Sequence, residues 1–237
     1  MIRFTRTAVA LLCLSLVVVA CGDDDVTVTT SDQAAEAGTV STPEYLAFRA
    51  QPVACGAEPP AAAEEKAFTE PTDLGLTGSV IAILHTSCGD VTLELDPAQA
   101  PVTVNSFVFL AEQGYYDGTV SHRVYPGFMI QAGDPSATGR GGPGYLIADE
   151  FPPAGFAYQR GIVAMANTGN PNTGGSQFFM MLADYPLPPA YSVFGRVTGG
   201  LDVMDRIAAV PLTARGANPE VSSPLETVFI DSIEIRR

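Results

Sequence analysis

Glycine and proline interrupt this chain so often that only short regular elements fit between them. There are 23 Gly and 19 Pro among 237 residues. From Ser79 onward they leave apolar runs of about four to eight residues, the length of strands rather than helices. The runs fall at 80–86, 91–95, 120–124, 129–132, 162–166, 177–182, 193–197 and 228–235. Val91, Leu93 and Leu95 alternate with Thr92 and Glu94, which is a half-buried strand, and Ser87-Cys88-Gly89-Asp90 before it is a turn sequence. Two stretches have helical spacing instead. Pro101 opens the first, Val104, Phe107, Val108 and Ala111 form its buried stripe, and Gly114 ends it. The second covers 201–208. Eight strands and two helices predict a mainly β fold, a closed eight-stranded antiparallel barrel capped by two α-helices, because closure removes exposed edges. An open α+β sheet fits the same pattern.

Composition narrows the partners. The hydrophobic share of 46% supports a buried core, and a net charge of −14 repels phosphate backbones and anionic lipid heads. Lys66 is the only lysine. Nucleic acid is excluded as a partner.

The N-terminus reads as an export signal. Arg3 and Arg6 precede an apolar stretch over 8–20 that is too short to span a bilayer. It ends Val18-Val19-Ala20-Cys21, an order that resembles the lipobox of bacterial lipoproteins, so 1–20 is taken as signal peptide and Cys21 as the lipidated residue. The expected location is outside the cell, anchored by that lipid to the outer face of the cytoplasmic membrane or another envelope membrane. Without the signal, 10 basic residues face 26 acidic ones, a net −16. Residues 21–78 read as an acidic flexible tether and extension, with a short helix over 45–50 announced by Thr42-Pro43-Glu44. In an oxidising compartment the two remaining cysteines, Cys55 and Cys88, are expected to form a disulfide that pins the extension to the domain at 79–237. His85 and His122 lack metal-ligand spacing, so no metal is expected.

Several catalytic patterns fail. Gly139-Arg140-Gly141-Gly142-Pro143-Gly144 spells a dinucleotide fingerprint, but Pro143 and Gly144 forbid the helix that must follow it. No nucleophile elbow and no Walker sequence occur.

Three blocks carry a specific resemblance. They are Ser121-His122-Arg123-Val124-Tyr125-Pro126-Gly127-Phe128-Met129-Ile130-Gln131-Ala132-Gly133-Asp134, then 165–179 from Met165-Ala166-Asn167 to Ser176-Gln177-Phe178-Phe179, then Ser192-Val193-Phe194-Gly195-Arg196-Val197. Together they resemble the cyclophilin-type peptidyl-prolyl cis–trans isomerases over about 79–237. The resemblance implies an eight-stranded barrel with two helices and a reaction that needs no cofactor. An Xaa-Pro amide is held planar by a barrier of ~18–20 kcal/mol, and a catalyst need only bind the twisted amide better than either planar form. A donor near the prolyl nitrogen favours the twist. By resemblance Arg123 is that donor and Gln131 orients it. Phe128, Met129 and Phe179 hold the proline ring with Leu187 at the rim, and Ala166 and Asn167 pair with the peptide chain.

Two positions depart from the best-known members. Counted back without gaps from Phe194, Pro186 stands where Trp is common and Tyr191 where His is common. Tyr191 retains a hydroxyl for a substrate carbonyl. The missing indole predicts weak binding of cyclosporin-type inhibitors. The expected function is therefore isomerisation of Xaa-Pro segments in unfolded or folding exported proteins, by a monomer. A non-catalytic proline-peptide-binding or chaperone-like module is the alternative.

Overall fold

Alternation of side chains on two early strands organises the core. The computed structural model describes residues 38–237, so the signal peptide, Cys21 and most of the spacer lie outside the described residues. Strands β1 (Val80–Thr86) and β2 (Gly89–Leu95) form an antiparallel hairpin in register from Val80 opposite Leu95 to Thr86 opposite Gly89. Ala82, Leu84, Val91, Leu93 and Leu95 are fully buried on one face, while Thr92 and Glu94 point away. Helix α2 (Pro101–Glu112) buries its stripe in the same core, and the Glu150 carboxylate accepts from its Val102 and Thr103 amides at 2.9 and 2.8 Å. Two N–H groups that a helix leaves unpaired at its start are thus satisfied from 48 and 47 residues away. Phe107 on this helix meets Tyr116, Phe178 and Phe194 at ring separations of 5.2–5.3 Å.

The sheet continues through β3 (Thr119–Val120), β4 (Arg123–Tyr125), β5 (Met129–Ala132), β6 (Ile162–Met165), β7 (Phe178–Met181), β8 (Val193–Gly199) and β11 (Phe229–Arg236). Its order is β3-β11-β1-β2-β8-β6-β7-β5-β4, antiparallel throughout. This corrects the closed eight-stranded barrel expected from the sequence. The sheet has nine strands and is an open half-barrel whose edges stand 9 Å apart. Hydrogen-bonded strands lie about 4.8 Å apart, so no ladder bridges that gap. The reason is the run at 120–124, expected as one strand. Its first part pairs with β11 and its last part with β5, and buried Ser121 and His122 carry the chain between them. One strand cannot serve both neighbours at that spacing, so it divides in two. Helix α3 (Leu201–Ala208) falls where the spacing put it and packs on β2. A separate hairpin, β9 (Leu212–Arg215) with β10 (Asn218–Pro224), was not foreseen and lies against β4.

The described part of the extension follows the outside of the sheet. Thr42 caps α1 (Pro43–Arg49) through the Tyr45 amide, and Pro43 occupies the first helical position. Tyr45 and Phe48 are buried with Val120, Ala137 and Phe229. The Tyr45 hydroxyl donates to Gly118 O at 2.9 Å and accepts from the Ala63 amide at 2.7 Å. Cys55 and Cys88 form a disulfide, with Cα atoms 5.2 Å apart and a sequence separation of 33.

A loop of that size removes enough unfolded-chain entropy to contribute about 3–4 kcal/mol. Urea unfolding of Cys55→Ala/Cys88→Ala is expected to show a stability loss of this size. A midpoint equal to that of the oxidised wild type would mean that the extension is held by packing alone.

Candidate active site

Strands β5 and β7 face two ways, and both faces are covered. Ile130, Ala132, Phe178 and Met180 enter the main core under α2. The alternate residues Met129, Phe179 and Met181 form a second apolar cluster on the opposite face, joined by Ala164, Tyr158 and Val193. Phe128, Ala166, Leu187 and Tyr191 pack against it and remain partly open. This second cluster is the floor of a cleft of about 500 Å³. All nine residues assigned from the sequence to catalysis or substrate binding line it: Arg123, Phe128, Met129, Gln131, Ala166, Asn167, Phe179, Leu187 and Tyr191. No residue of the extension does so among the described residues.

Pairing register places the polar groups. Arg123 on β4 lies opposite Gln131 on β5, which lies opposite Phe179 on β7. Directly opposed residues share a face, so the guanidinium, the amide and the aromatic ring stand in one row. Arg123 Nη1 donates to Gln131 Oε1 at 3.3 Å, Gln131 Nε2 to Gln177 Oε1 at 2.9 Å, and Gln177 Nε2 to Gly141 O at 2.9 Å. The last acceptor sits in the glycine-rich loop that only spelled a dinucleotide fingerprint. There the buried Asp134 carboxylate accepts from the amides of Ser136, Gly139 and Gly141 at 2.8, 2.6 and 3.1 Å. A Cβ at position 141 would stand 2.0 Å from Asp134 Oδ1, so the loop's closure on this carboxylate requires glycine there.

The wall of the cleft includes a residue that the sequence did not single out. Pro186 does not line this cleft; it borders a neighbouring one with Phe156, Tyr158 and Asp184. Tyr185 stands at the wall instead, its ring stacked on Phe128 with centroids 4.3 Å apart. Tyr191 closes the far side edge-on to Phe179 at 5.3 Å, and its backbone exchanges two hydrogen bonds with the Tyr158 hydroxyl, at 2.8 and 3.2 Å. Asn167 Nδ2 donates to Ala190 O at 2.8 Å, tying the strand edge to that wall.

Sequence reading also missed Arg215 and Glu220, which the β9–β10 hairpin brings to the cleft beside Arg123. Glu220 accepts two hydrogen bonds from Arg123, from Nε and from Nη2, each at 2.7 Å. Those bonds hold its carboxyl below the usual carboxylate range. Burial lowers the Arg215 guanidinium from its ordinary value, and Arg123 beside it acts in the same direction. The one available signal was that a half-buried Arg needs a counter-ion; 26 acidic residues gave no way of choosing it.

A pocket of this size, with an apolar floor edged by Phe128, Phe179, Leu187 and Tyr191 and an oriented guanidinium beside it, suits a small apolar ring within a peptide. The comparisons with known proteins point to the same class. The family described as "Cyclophilin type peptidyl-prolyl cis-trans isomerase/CLD" matches residues 81–235. The chain is 46% identical over 173 residues to "Peptidyl-prolyl cis-trans isomerase B" of Streptomyces anulatus, covering 65% of this chain and 95% of that protein. It is 40% identical over 178 residues to the "Probable peptidyl-prolyl cis-trans isomerase B" of Mycobacterium tuberculosis, of which it spans 56%. A crystal structure of a Cryptosporidium parvum cyclophilin-type peptidyl-prolyl cis–trans isomerase superposes with a TM-score of 0.60 at 32% identity, over 68% of this chain and 99% of that one. The chain belongs to the cyclophilin-type peptidyl-prolyl cis–trans isomerases. It is accordingly an enzyme that catalyses Xaa-Pro isomerisation.

Next to Arg123, His122 lies in the seam between the sheet edges, 1% exposed, and neither ring nitrogen has a hydrogen-bond partner among the described residues. Burial pushes its pKa down to about 4; Asp134 opposes the shift, and Arg215 and Arg123 add to it. The folded state thus favours neutral His122. Below about pH 6.5 the unfolded chain takes up a proton that the folded chain refuses, so stability falls as pH drops from about 6.5 to 4 and this contribution levels off below. The expected loss is about 3 kcal/mol. Denaturant midpoints measured from pH 7 to 4 should fall less steeply in His122→Phe than in the wild type; parallel curves would show that the buried ring does not control acid stability.

Proposed function

We propose that this enzyme acts on Xaa-Pro bonds of exported polypeptides, with Arg123 stabilising the twisted prolyl amide above the apolar pocket. The observation that carries the mechanism is the shared row of Arg123, Gln131 and Phe179, which sets a fixed cationic donor beside an apolar floor. When the Xaa-Pro bond twists, resonance is lost and the prolyl nitrogen becomes pyramidal and gains a lone pair. A donor aimed at that position stabilises the twist and gains little from the planar ground states. Phe128, Met129 and Phe179 grip the ring, so rotation is confined to the preceding carbonyl. Tyr185 takes the wall position as an aromatic surface. Ala166 and Asn167 offer backbone to the peptide; the Ala166 amide is already bonded to Gln177 O at 2.8 Å, which leaves its carbonyl for the substrate. No electron pair leaves the substrate and no bond breaks, so the site requires neither nucleophile nor cofactor.

Exported substrates and a lipid anchor are supported by sequence alone: the basic and apolar segments over 1–20 and the Val19-Ala20-Cys21-Gly22 junction. The Cys55–Cys88 disulfide fits an oxidising compartment.

Two measurements test these readings. Exchange NMR on an Ala-Pro-Phe peptide should show isomerisation by the wild type and a loss of about 100-fold or more in folded Arg123→Ala, the cost of removing one positioned donor. Full activity in that variant would remove Arg123 from the mechanism. In fractionated cells, Cys21→Ser should move the protein from the membrane to the soluble fraction, and an unchanged membrane fraction would eliminate the anchor.

A further inference from the structure

Arg123 starts an edge strand, and on its open side the β9–β10 hairpin supplies a carboxylate fitted to it. Arg123 Nε donates to Glu220 Oε1 and Nη2 to Oε2, both at 2.7 Å, two parallel bonds in the geometry that only a planar guanidinium can make with a carboxylate. The two side chains are 24% and 19% exposed, so this is no solvent-screened surface pair. The carboxylate is itself held: Ser222 Oγ donates to Glu220 Oε1 at 2.6 Å. On the opposite side Gln131 accepts from Nη1. The guanidinium is therefore fixed from both flanks.

A count of donors shows what that fixation leaves free. A guanidinium carries five N–H groups. Glu220 takes one on Nε and one on Nη2, and Gln131 takes one on Nη1. One N–H on each terminal nitrogen remains, and Arg123 lines the cleft. We propose that Glu220 is a positioning residue for the isomerisation, holding the Arg123 guanidinium in the plane that aims these remaining donors at the prolyl nitrogen. The inference rests on the reading of Arg123 as the catalytic donor. Its physical basis is preorganisation. A long side chain on an edge strand loses rotamer freedom when it must be aimed, and the hairpin removes that freedom before substrate arrives. The acceptor in the twisted amide is a neutral lone pair, so the direction of the N–H groups counts for more than the net charge that Glu220 cancels.

The test uses the purified protein and Glu220→Gln, which keeps the shape and removes one charged acceptor. The expected result is a fall in kcat of about tenfold, part of the ~10²–10³ attached to a complete donor, with KM for an Xaa-Pro peptide within about twofold. In an Arg123→Ala background, Glu220→Gln should change nothing further, because its effect passes through Arg123. Glu220→Asp, which keeps the charge but withdraws the carboxylate by one methylene, should lower kcat in the same way. Wild-type kcat in folded Glu220→Gln or Glu220→Asp would overturn the proposal, and so would losses that multiply in the double variant. The two readings fail differently. An inactive Arg123→Ala beside a fully active Glu220→Gln removes Glu220 alone, whereas an active Arg123→Ala removes both.

Discussion

The two edges of the sheet are joined by only two residues, and the site follows from that connection. Ser121 and His122 carry the chain from β3, which pairs with β11, to β4, which pairs with β5. The crossing leaves the 9 Å seam open and makes Arg123 the first residue of an edge strand. An arginine in a central strand would have neighbours on both sides of its ladder. Here one side offers Gln131 and the other is open to the β9–β10 hairpin, which arrives with Glu220 and Arg215. The edge is covered without being paired, which removes a template for association and at the same time builds one wall of the cleft.

Behind the guanidinium, a continuous polar path runs away from the cleft. Arg123, Gln131, Gln177 and the Gly141 carbonyl are linked by successive hydrogen bonds, and Gly141 is folded onto the Asp134 carboxylate. The loop beyond touches the extension: Thr42 Oγ1 donates to Ser136 O at 2.6 Å, and the Phe68 amide donates to Pro143 O at 2.7 Å. Partly buried polar networks hold a geometry only when their members are satisfied, and this one is satisfied along its length. The described part of the extension that the sequence left unexplained thus braces the loop supporting the site, while lining none of the cleft.

Local pattern was legible where it depends on neighbours in the chain. Strand β1 follows from its apolar run, β2 from alternation and the turn at Ser87–Cys88 from its residue types, while helix α3 falls on the stretch with helical spacing. The nine cleft residues were found because a resemblance supplied what spacing cannot. Met129 and Phe179 on strands buried on both faces carry no mark that separates pocket floor from core. What escaped depends on contacts between distant segments. Glu220 lies 97 residues from Arg123, in a hairpin whose Gly216 and Pro219 read as loop. Tyr185 escaped because no motif marks it; only the folded chain brings its ring onto Phe128. Barrel closure could not be read either, because a five-residue run does not announce that its two ends pair with different strands.

His122 and Arg123 show how finely the seam divides two environments. They are consecutive, so on extended backbone their side chains leave on opposite sides. His122 is driven into the protein, where burial makes the imidazolium costly and the ring is held neutral. A guanidinium offers no such route out of its charge. It must therefore be placed where its charge is balanced, and the hairpin places Glu220 there. Exchanging the two residues would bury an unpaired cation in the seam and leave the cleft a ring whose charge varies near neutral pH. The order His-Arg thus satisfies core and cleft together: the residue that can shed its proton lies inside, and the one that cannot lies at the edge, between two fixed acceptors.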